Sequence, residues 1–165
     1  MDIAIETDSF IPAKEGEQVS VGGGMACNAA GYYSGSTDTI HLDSNGSTQT
    51  LVHEMGHAVD FNGRVNNTSS ALNDRNFKRL FNEEMRNFIA AGNQRYVYTP
   101  DGNGSGTRGS YATANEKEMF AECYTLLMTG NCGSKAVIER YFPRCLAYIN
   151  NKIEQNRSLS DSYRH

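Results

Sequence analysis

The fold is organised around residues 50–61, which read TLVHEMGHAVDF. The apolar residues on both sides of the charged centre predict a partly buried helix. On such a helix His53 and His57 lie on one face, one turn apart, so both imidazoles can bind the same metal ion. Glu54 points away from this pair but stays close enough to take a proton from a water beside the metal. The stretch therefore predicts a catalytic zinc helix.

The alternative interpretation is a surface helix that holds two histidines by chance. The chain has only four histidines, and two of them fall at ligand spacing around a glutamate within an apolar segment. Gly56 also stands inside the predicted helix, where glycine costs roughly 1 kcal/mol relative to alanine. This cost predicts that another part of the chain packs closely at position 56.

A catalytic zinc site needs a third protein ligand and one open position. The metzincin pattern is excluded, because it requires glycine at 60 and histidine or aspartate at 63, where this chain has Asp60 and Gly63. A downstream aspartate in a G-T-x-x-D pattern is excluded by the sequence of residues 106–110. We interpret His41 as a surface or packing residue, and His165 is the C-terminus. A glutamate on a second helix remains.

That second helix includes residues 115–122, which read NEKEMFAE. Glu118 and Glu122 are four apart and share a face. Carboxylates on a half-buried face need cations or hydrogen-bond donors. Zinc for Glu118, and a ring N–H of a ligating histidine for Glu122, would meet that need. The spacing alone leaves a second interpretation open, which is an exposed acidic face that includes Glu116.

The composition favours one α+β domain over residues 1–165, which we expect to be monomeric. Hydrophobic residues make up 38% of the chain, enough for a single core. The 15 lysines and arginines are scattered and the net charge is −4, which argues against nucleic-acid binding. No apolar run reaches the length of a membrane span. The acidic start lacks the pattern of a signal peptide, so the protein leaves its cell by another route or the sequence begins at the mature chain with Met1 added.

Alternating apolar residues near Ile5 predict a first strand. Residues 25–33 and 39–42 predict a hairpin with its turn at 34–38. This small, mostly antiparallel sheet should pack on the zinc-binding helix, which Ser47 or Thr48 can cap. We expect the sheet and this helix to occupy residues 1–62.

The rest of the chain is predicted to be mainly helical. A helix from about Asn73 to Gly92 and a mobile glycine-rich loop at 101–109 occupy residues 63–110. A capping box of Thr113 and Glu116 opens a helix that ends before Gly130. The helical part spans 111–157, is interrupted at Pro143, and is followed by a frayed tail at 158–165.

Four cysteines leave the redox compartment open. They are even in number, as a disulfide framework requires, but four cysteines allow three pairings and the sequence does not choose. The alternative is that all four are small buried residues. The residues concerned are Cys27, Cys123, Cys132 and Cys145.

Two blocks of sequence resemble one group of gluzincin metallopeptidases, which includes the anthrax lethal factor catalytic domain and the Pro-Pro endopeptidases. The first block is TLVHEMGHAVDF, and the second is YATANEKEMFAE at residues 111–122. In the family pattern a tyrosine stands seven residues before the glutamate ligand, as Tyr111 stands before Glu118. The likeness extends from about Gly22 to the C-terminal helices, but residues 64–109 show no clear correspondence.

The resemblance implies a role for each matching residue. His53, His57 and Glu118 would bind one catalytic zinc ion, Glu54 would be the general base, and Glu122 would support the ligands. Tyr111 would donate a hydrogen bond to the developing oxyanion.

The resemblance also implies a protein or peptide substrate, bound in an extended conformation along an edge strand near residues 25–33. We further expect the 101–109 loop to move Tyr111 over bound substrate.

These patterns favour a zinc endopeptidase, secreted or delivered into another cell as a toxin or effector would be. The alternative is a catalytically inactive peptide-binding module that retains the same fold. The residues do not predict the cleavage preference, and the Pro-Pro specificity of one branch is not carried over.

Overall fold

The computed structural model describes residues 4–8, 19–21, 24–26, 30–43, 46–62, 70–100 and 107–162. Within these ranges the chain has the predicted α+β architecture, with short strands first and helices after them. The strands are β1 (Ala4–Asp8), β2 (Val19–Val21), β3 (Gly24–Ala26), β4 (Gly31–Ser34), β5 (Thr39–Asp43), β6 (Thr99–Pro100) and β7 (Thr107–Arg108). The helices are α1 (Thr48–Asn62), α2 (Ser70–Asn73), α3 (Arg75–Phe88), α4 (Glu116–Thr129), α5 (Lys135–Tyr141) and α6 (Pro143–Ser162).

The largest sheet in the described residues has the strand order β1-β5-β4. Strand β5 pairs with β1 in parallel and with β4 in the antiparallel direction. The sheet is therefore mixed, although the β2–β3 and β6–β7 pairs elsewhere are both antiparallel. Strand β4 forms an edge of this sheet, beside the helix that carries the two histidines.

The predicted hairpin is confirmed as β4 and β5, but its first strand is shorter than predicted. It begins at Gly31 rather than near Met25, because Gly24–Ala26 pairs with Val19–Val21 in a separate ladder. Residues 27–29 lie outside the described residues. The hairpin packs on α1, where Ile40 is fully buried and the rings of Tyr33 and Phe61 meet edge to face at 5.8 Å.

Helix α1 begins where the sequence predicted. The hydroxyl of Ser47 accepts a hydrogen bond from the backbone N–H of Thr50 at 3.1 Å, which caps the first turn. The helix then continues to Asn62, one residue before Gly63. The predicted zinc-binding helix is therefore present as a single regular element.

Most of the apolar residues of α3 are buried in the core. Phe77, Leu80, Phe81 and Phe88 are buried, whereas Ile89 is exposed, because the helix has already ended at Phe88. A wider turn of π-helix follows at Ile89–Asn93. Gly92 lies there with φ at 84°, a backbone conformation that glycine adopts without strain.

The N-terminus of α4 corrects the predicted capping box. Asn115 is the cap, and its side-chain oxygen accepts from the N–H of Glu118 at 3.0 Å. Thr113 instead donates to the carbonyl of Ser110 and accepts from the N–H of Tyr98, both at 2.7 Å. Because its hydroxyl bonds to Ser110 and Tyr98, Thr113 is not the cap of α4. Gly130 ends α4 in the left-handed conformation, as predicted.

Helix α6 starts at Pro143, which confirms the predicted interruption there. The buried carboxylate of Glu84 on α3 accepts from the backbone N–H groups of Arg144 and Cys145, each at 3.0 Å. It thereby satisfies two unpaired donors of the first turn. The helix continues to Ser162, so the chain remains helical over 158–162, where the sequence suggested a frayed tail.

Three of the four cysteines are buried free thiols, namely Cys123, Cys132 and Cys145. They therefore follow the interpretation as small core residues, and Cys27 lies outside the described residues. Among the described residues, no helix combines the length and the apolar character needed to cross a membrane.

Candidate metal centre

Three side chains from two helices converge on one point. The Nε2 atoms of His53 and His57 lie 3.2 and 3.1 Å from the same oxygen of Glu118, Oε2. The candidate ligand atoms of the three residues all lie within 4.8 Å of one another. His53, His57 and Glu118 therefore form a group able to hold a metal ion. Glu116, the other candidate of that turn, is not part of the group.

The close approach of α1 and α4 makes this convergence possible. A Cβ atom added at Gly56 would lie 2.9 Å from the Cα atom of Ala121 and 3.2 Å from the Cβ of Tyr124. The glycine thus lets the two helix backbones pack closely beside the histidines. This explains why a residue with poor helix propensity stands in the middle of α1.

Replacing Gly56 by alanine is expected to destabilise the protein and weaken metal binding. The new methyl group meets backbone, so the helices must separate, and overpacking of this kind costs about 1–3 kcal/mol. That cost outweighs the roughly 1 kcal/mol gain in helix propensity. Thermal unfolding and zinc titration measure both effects. Gln49→Ala, on the exposed surface of the same helix, is the matched control, and equal behaviour of the two variants would contradict the packing argument.

Glu122 contacts the ring nitrogen of His53 that faces away from Glu118. Its Oε1 lies 3.0 Å from Nδ1 of His53, and its Oε2 accepts from the backbone N–H of Ser134 at 3.0 Å. A carboxylate on the second ring nitrogen fixes the tautomer that presents Nε2 to a metal. Glu122 therefore contacts His53 in the structure, and its supporting role stays a prediction.

The charges around His53 favour a cation. Burial alone would lower the pKa of His53, but hydrogen bonds to Glu118 and Glu122 and the nearby Glu54 raise it to about 10. Burial opposes ionisation of Glu118, yet the hydrogen bonds to His53 and His57 hold its pKa far below the usual range.

The carboxylates of Glu54, Glu118 and Glu122 therefore favour positive charge at His53. A divalent ion would supply the same positive charge. Two imidazoles and one carboxylate are also a donor set that zinc accepts, so these residues fit a zinc ion.

Glu54 lies beside this group without belonging to it. It is buried, and burial raises its pKa, while the two histidines and a hydrogen bond from the backbone of Tyr33 act in the opposite direction. Because Tyr33 belongs to β4, the carboxylate lies between the metal-binding residues and the edge strand. This is a suitable place for a proton acceptor.

Tyr111 also lies beside His53, with the two ring centroids 5.5 Å apart. It is 41% exposed, so part of the ring is accessible from solvent. Partial burial and the negative charge of Glu118 raise the pKa of the phenol, with a smaller contribution from Tyr98. The phenol therefore stays protonated and can donate a hydrogen bond.

The turn that carries Tyr111 is anchored on both sides. The N–H of Ser110 donates to the carbonyl of Tyr96 at 2.9 Å, and the N–H of Ala112 donates to the hydroxyl of Ser134 at 3.1 Å. Residues 101–106 of the predicted loop lie outside the described residues, so the proposed loop movement remains a prediction.

The structure brings together all six predicted site residues: His53, Glu54, His57, Tyr111, Glu118 and Glu122. His41 lies apart from this group, half-buried and stacked on Tyr32 with the rings 4.5 Å apart. Sequence reasoning missed the supporting residues Ser134, Thr113 and Tyr98. Their hydrogen bonds and ring contacts join segments far apart in the chain, and no spacing pattern signals such contacts.

The comparisons with known proteins give one distant similarity. No protein-family model matches this chain. Over 117 residues the chain is 24% identical to lethal factor of Bacillus anthracis, and the match covers 68% of this chain and 12% of lethal factor. The chain therefore corresponds to a small part of that relative. The resemblance to lethal factor has support at this distant level, and the resemblance to the Pro-Pro endopeptidases stays a prediction.

Proposed function

We propose that this chain is a zinc-dependent endopeptidase that hydrolyses peptide bonds in a protein substrate. The observation that carries the proposal is the convergence of His53, His57 and Glu118, with Glu54 beside them but outside the ligand group. The distant similarity to lethal factor, a zinc metalloprotease, supports the same reaction class. The three converging residues would hold the ion. When bound, zinc lowers the pKa of a water ligand and polarises a carbonyl group.

The residues of the chain supply the proton transfer. The Glu54 carboxylate takes a proton from the attacking water, and burial raises its pKa above the usual value, which makes it a better base. The same group can then pass the proton to the departing amine. Glu122 keeps His53 in the required tautomer throughout.

Tyr111 stabilises the charge that develops on the carbonyl oxygen of the substrate. Its protonated phenol is partly accessible, and its ring lies beside that of His53. A hydrogen bond that strengthens as the oxyanion forms lowers the barrier. Tyr98, whose ring lies 5.1 Å from that of Tyr111, packs against it edge to face.

Strand β4, at the edge of the sheet, is the proposed substrate platform. An extended peptide can pair with unpaired backbone groups at a sheet edge. Within the described residues, β4 lies at the end of the strand order β1-β5-β4, and the backbone of Tyr33 in this strand hydrogen-bonds to Glu54. A peptide added there would pass directly beside the proposed base.

A role outside the producing cell, as a secreted or delivered protease, belongs to the same proposal.

Zinc analysis combined with a peptide-library digest tests the proposal. We expect about one zinc ion per chain and cleavage of a subset of peptides, both removed by a strong chelator and restored by zinc. Mass spectrometry of the digest would also reveal the cleavage preference. A purified, folded wild-type protein that binds no zinc would contradict the proposal outright.

A further inference from the structure

Ser134 connects two parts of the proposed site that come from different segments of the chain. Its backbone N–H donates to Oε2 of Glu122 at 3.0 Å, and its hydroxyl oxygen accepts from the N–H of Ala112 at 3.1 Å. Glu122 holds the ring of His53, and Ala112 directly follows Tyr111. One residue therefore contacts both the support of a metal ligand and the turn of the proposed oxyanion donor.

The position of Ser134 before α5 suggests a different role, which the contacts do not support. Serine at this place commonly caps the following helix with its hydroxyl. The side chain of Ser134 makes no capping hydrogen bond to α5. Its hydroxyl instead contacts the backbone N–H of Ala112 and the carboxylate of Glu122.

The contact to Ala112 is buried and therefore costly to lose. Ala112 is fully buried and Ser134 is 2% exposed, so water cannot readily replace the hydroxyl. A buried N–H without an acceptor is strongly disfavoured. Removing the hydroxyl should therefore displace the 111–113 turn rather than leave the N–H unpaired in place.

We propose that Ser134 is a positioning residue that holds Tyr111 in register with His53 for the reaction. This inference rests on the proposed peptidase function, and it adds a residue that lies outside the two sequence blocks of the resemblance. Ser134 acts through Tyr111 and through Glu122 and does not itself contact substrate. The hydroxyl holds the turn of Tyr111 and also contacts Glu122, while the backbone N–H of residue 134 serves Glu122 whatever the side chain is.

Replacing Ser134 by alanine removes the hydroxyl from Ala112 and from Glu122 but keeps the backbone N–H that donates to Glu122. We expect kcat on a fluorescence-quenched peptide, chosen from those that the wild type cleaves, to fall about tenfold or more, as a small misplacement near the reacting atoms does. Zinc affinity should change by less than about tenfold, because Glu122 keeps its backbone donor. Ser110→Ala is the matched control. The Ser110 hydroxyl is buried in the same turn and makes no hydrogen bond within the described part of the chain.

A double-mutant cycle distinguishes positioning from general stability. If Ser134 acts through Tyr111, Ser134→Ala should have little further effect on kcat in a Tyr111→Phe background. An equal loss in both backgrounds would show that Ser134 supports the fold only, and the positioning proposal would be wrong. A loss in Ser110→Ala as large as that in Ser134→Ala would lead to the same conclusion.

Two further measurements do not depend on activity. In zinc-loaded protein, the NMR ring resonances of Tyr111 and the amide exchange of Ala112 should change in Ser134→Ala and not in Ser110→Ala. If the wild type binds zinc but cleaves no peptide, the proposed function fails while these signals still decide whether the link from Ser134 to Tyr111 exists. Unchanged signals in Ser134→Ala would overturn the inference.

Discussion

A Glu54→Gln variant is expected to bind about one zinc ion per chain, as the wild type does, and to lose peptide hydrolysis by a factor of about 10²–10⁴. Glu54 lies outside the three-residue ligand group, so the metal keeps its ligands. Glutamine has nearly the same shape and can still accept the hydrogen bond from Tyr33, but its amide cannot take a proton from water. Elemental analysis and cleavage of a selected peptide measure the two properties separately.

Glu116→Gln provides the matched control for this prediction. It removes one carboxylate from a half-buried position on α4 that is not part of the metal group, so activity should stay near that of the wild type. Cleavage by Glu54→Gln at the wild-type rate would contradict the assigned base. If the wild type binds zinc and peptides but cleaves none, the inactive peptide-binding module becomes the better interpretation.

A Glu118→Gln variant is expected to lose metal affinity by more than about 100-fold, and activity with it. The substitution removes the negative oxygen that both histidines face at 3.1–3.2 Å. It thereby deletes a ligand, whereas loss of a residue that only orients a ligand costs about 10–100-fold in affinity. Glu122→Gln should fall in that smaller range. Competition with a chromophoric chelator measures the zinc dissociation constant of each variant.

The ranking of these two variants tests the ligand assignment. Glu118 and Glu122 are four residues apart on one helix, and their spacing did not distinguish a ligand from a supporting residue. If Glu122→Gln loses more zinc affinity than Glu118→Gln, then Glu122 is the ligand and Glu118 is the supporting residue. Wild-type affinity in both variants would place the metal elsewhere.

The features that could be predicted from the sequence are those with a local physical cause. Helical periodicity predicted α1, and its capping hydroxyl and terminal glycine predicted both ends. The four-residue spacing of His53 and His57 placed both rings on one face. Gly56 indicated a close contact without revealing its partner, which proved to be Ala121.

The features that could not be predicted depend on contacts between distant segments. Thr113 has the spacing of a capping residue, but the N–H of Tyr98 and the carbonyl of Ser110 use its hydroxyl, so Asn115 caps α4 instead. Strand β4 is shorter than its composition suggested because Gly24–Ala26 pairs with another strand. Local propensity carries no information about which partner wins such a competition.

The metal-binding residues lie 61 and 65 positions apart across α1 and α4, so no short segment of the chain contains a complete site. The proposed site is therefore complete only when α1 and α4 have packed together at Gly56. A bound ion would then act as a removable crosslink that closes a long loop and holds the native state together. At a free zinc concentration 1,000 times the dissociation constant, this linkage stabilises the fold by about 4 kcal/mol. The proposed peptidase activity and this stabilisation would depend on the same ion, so a chelator would remove both.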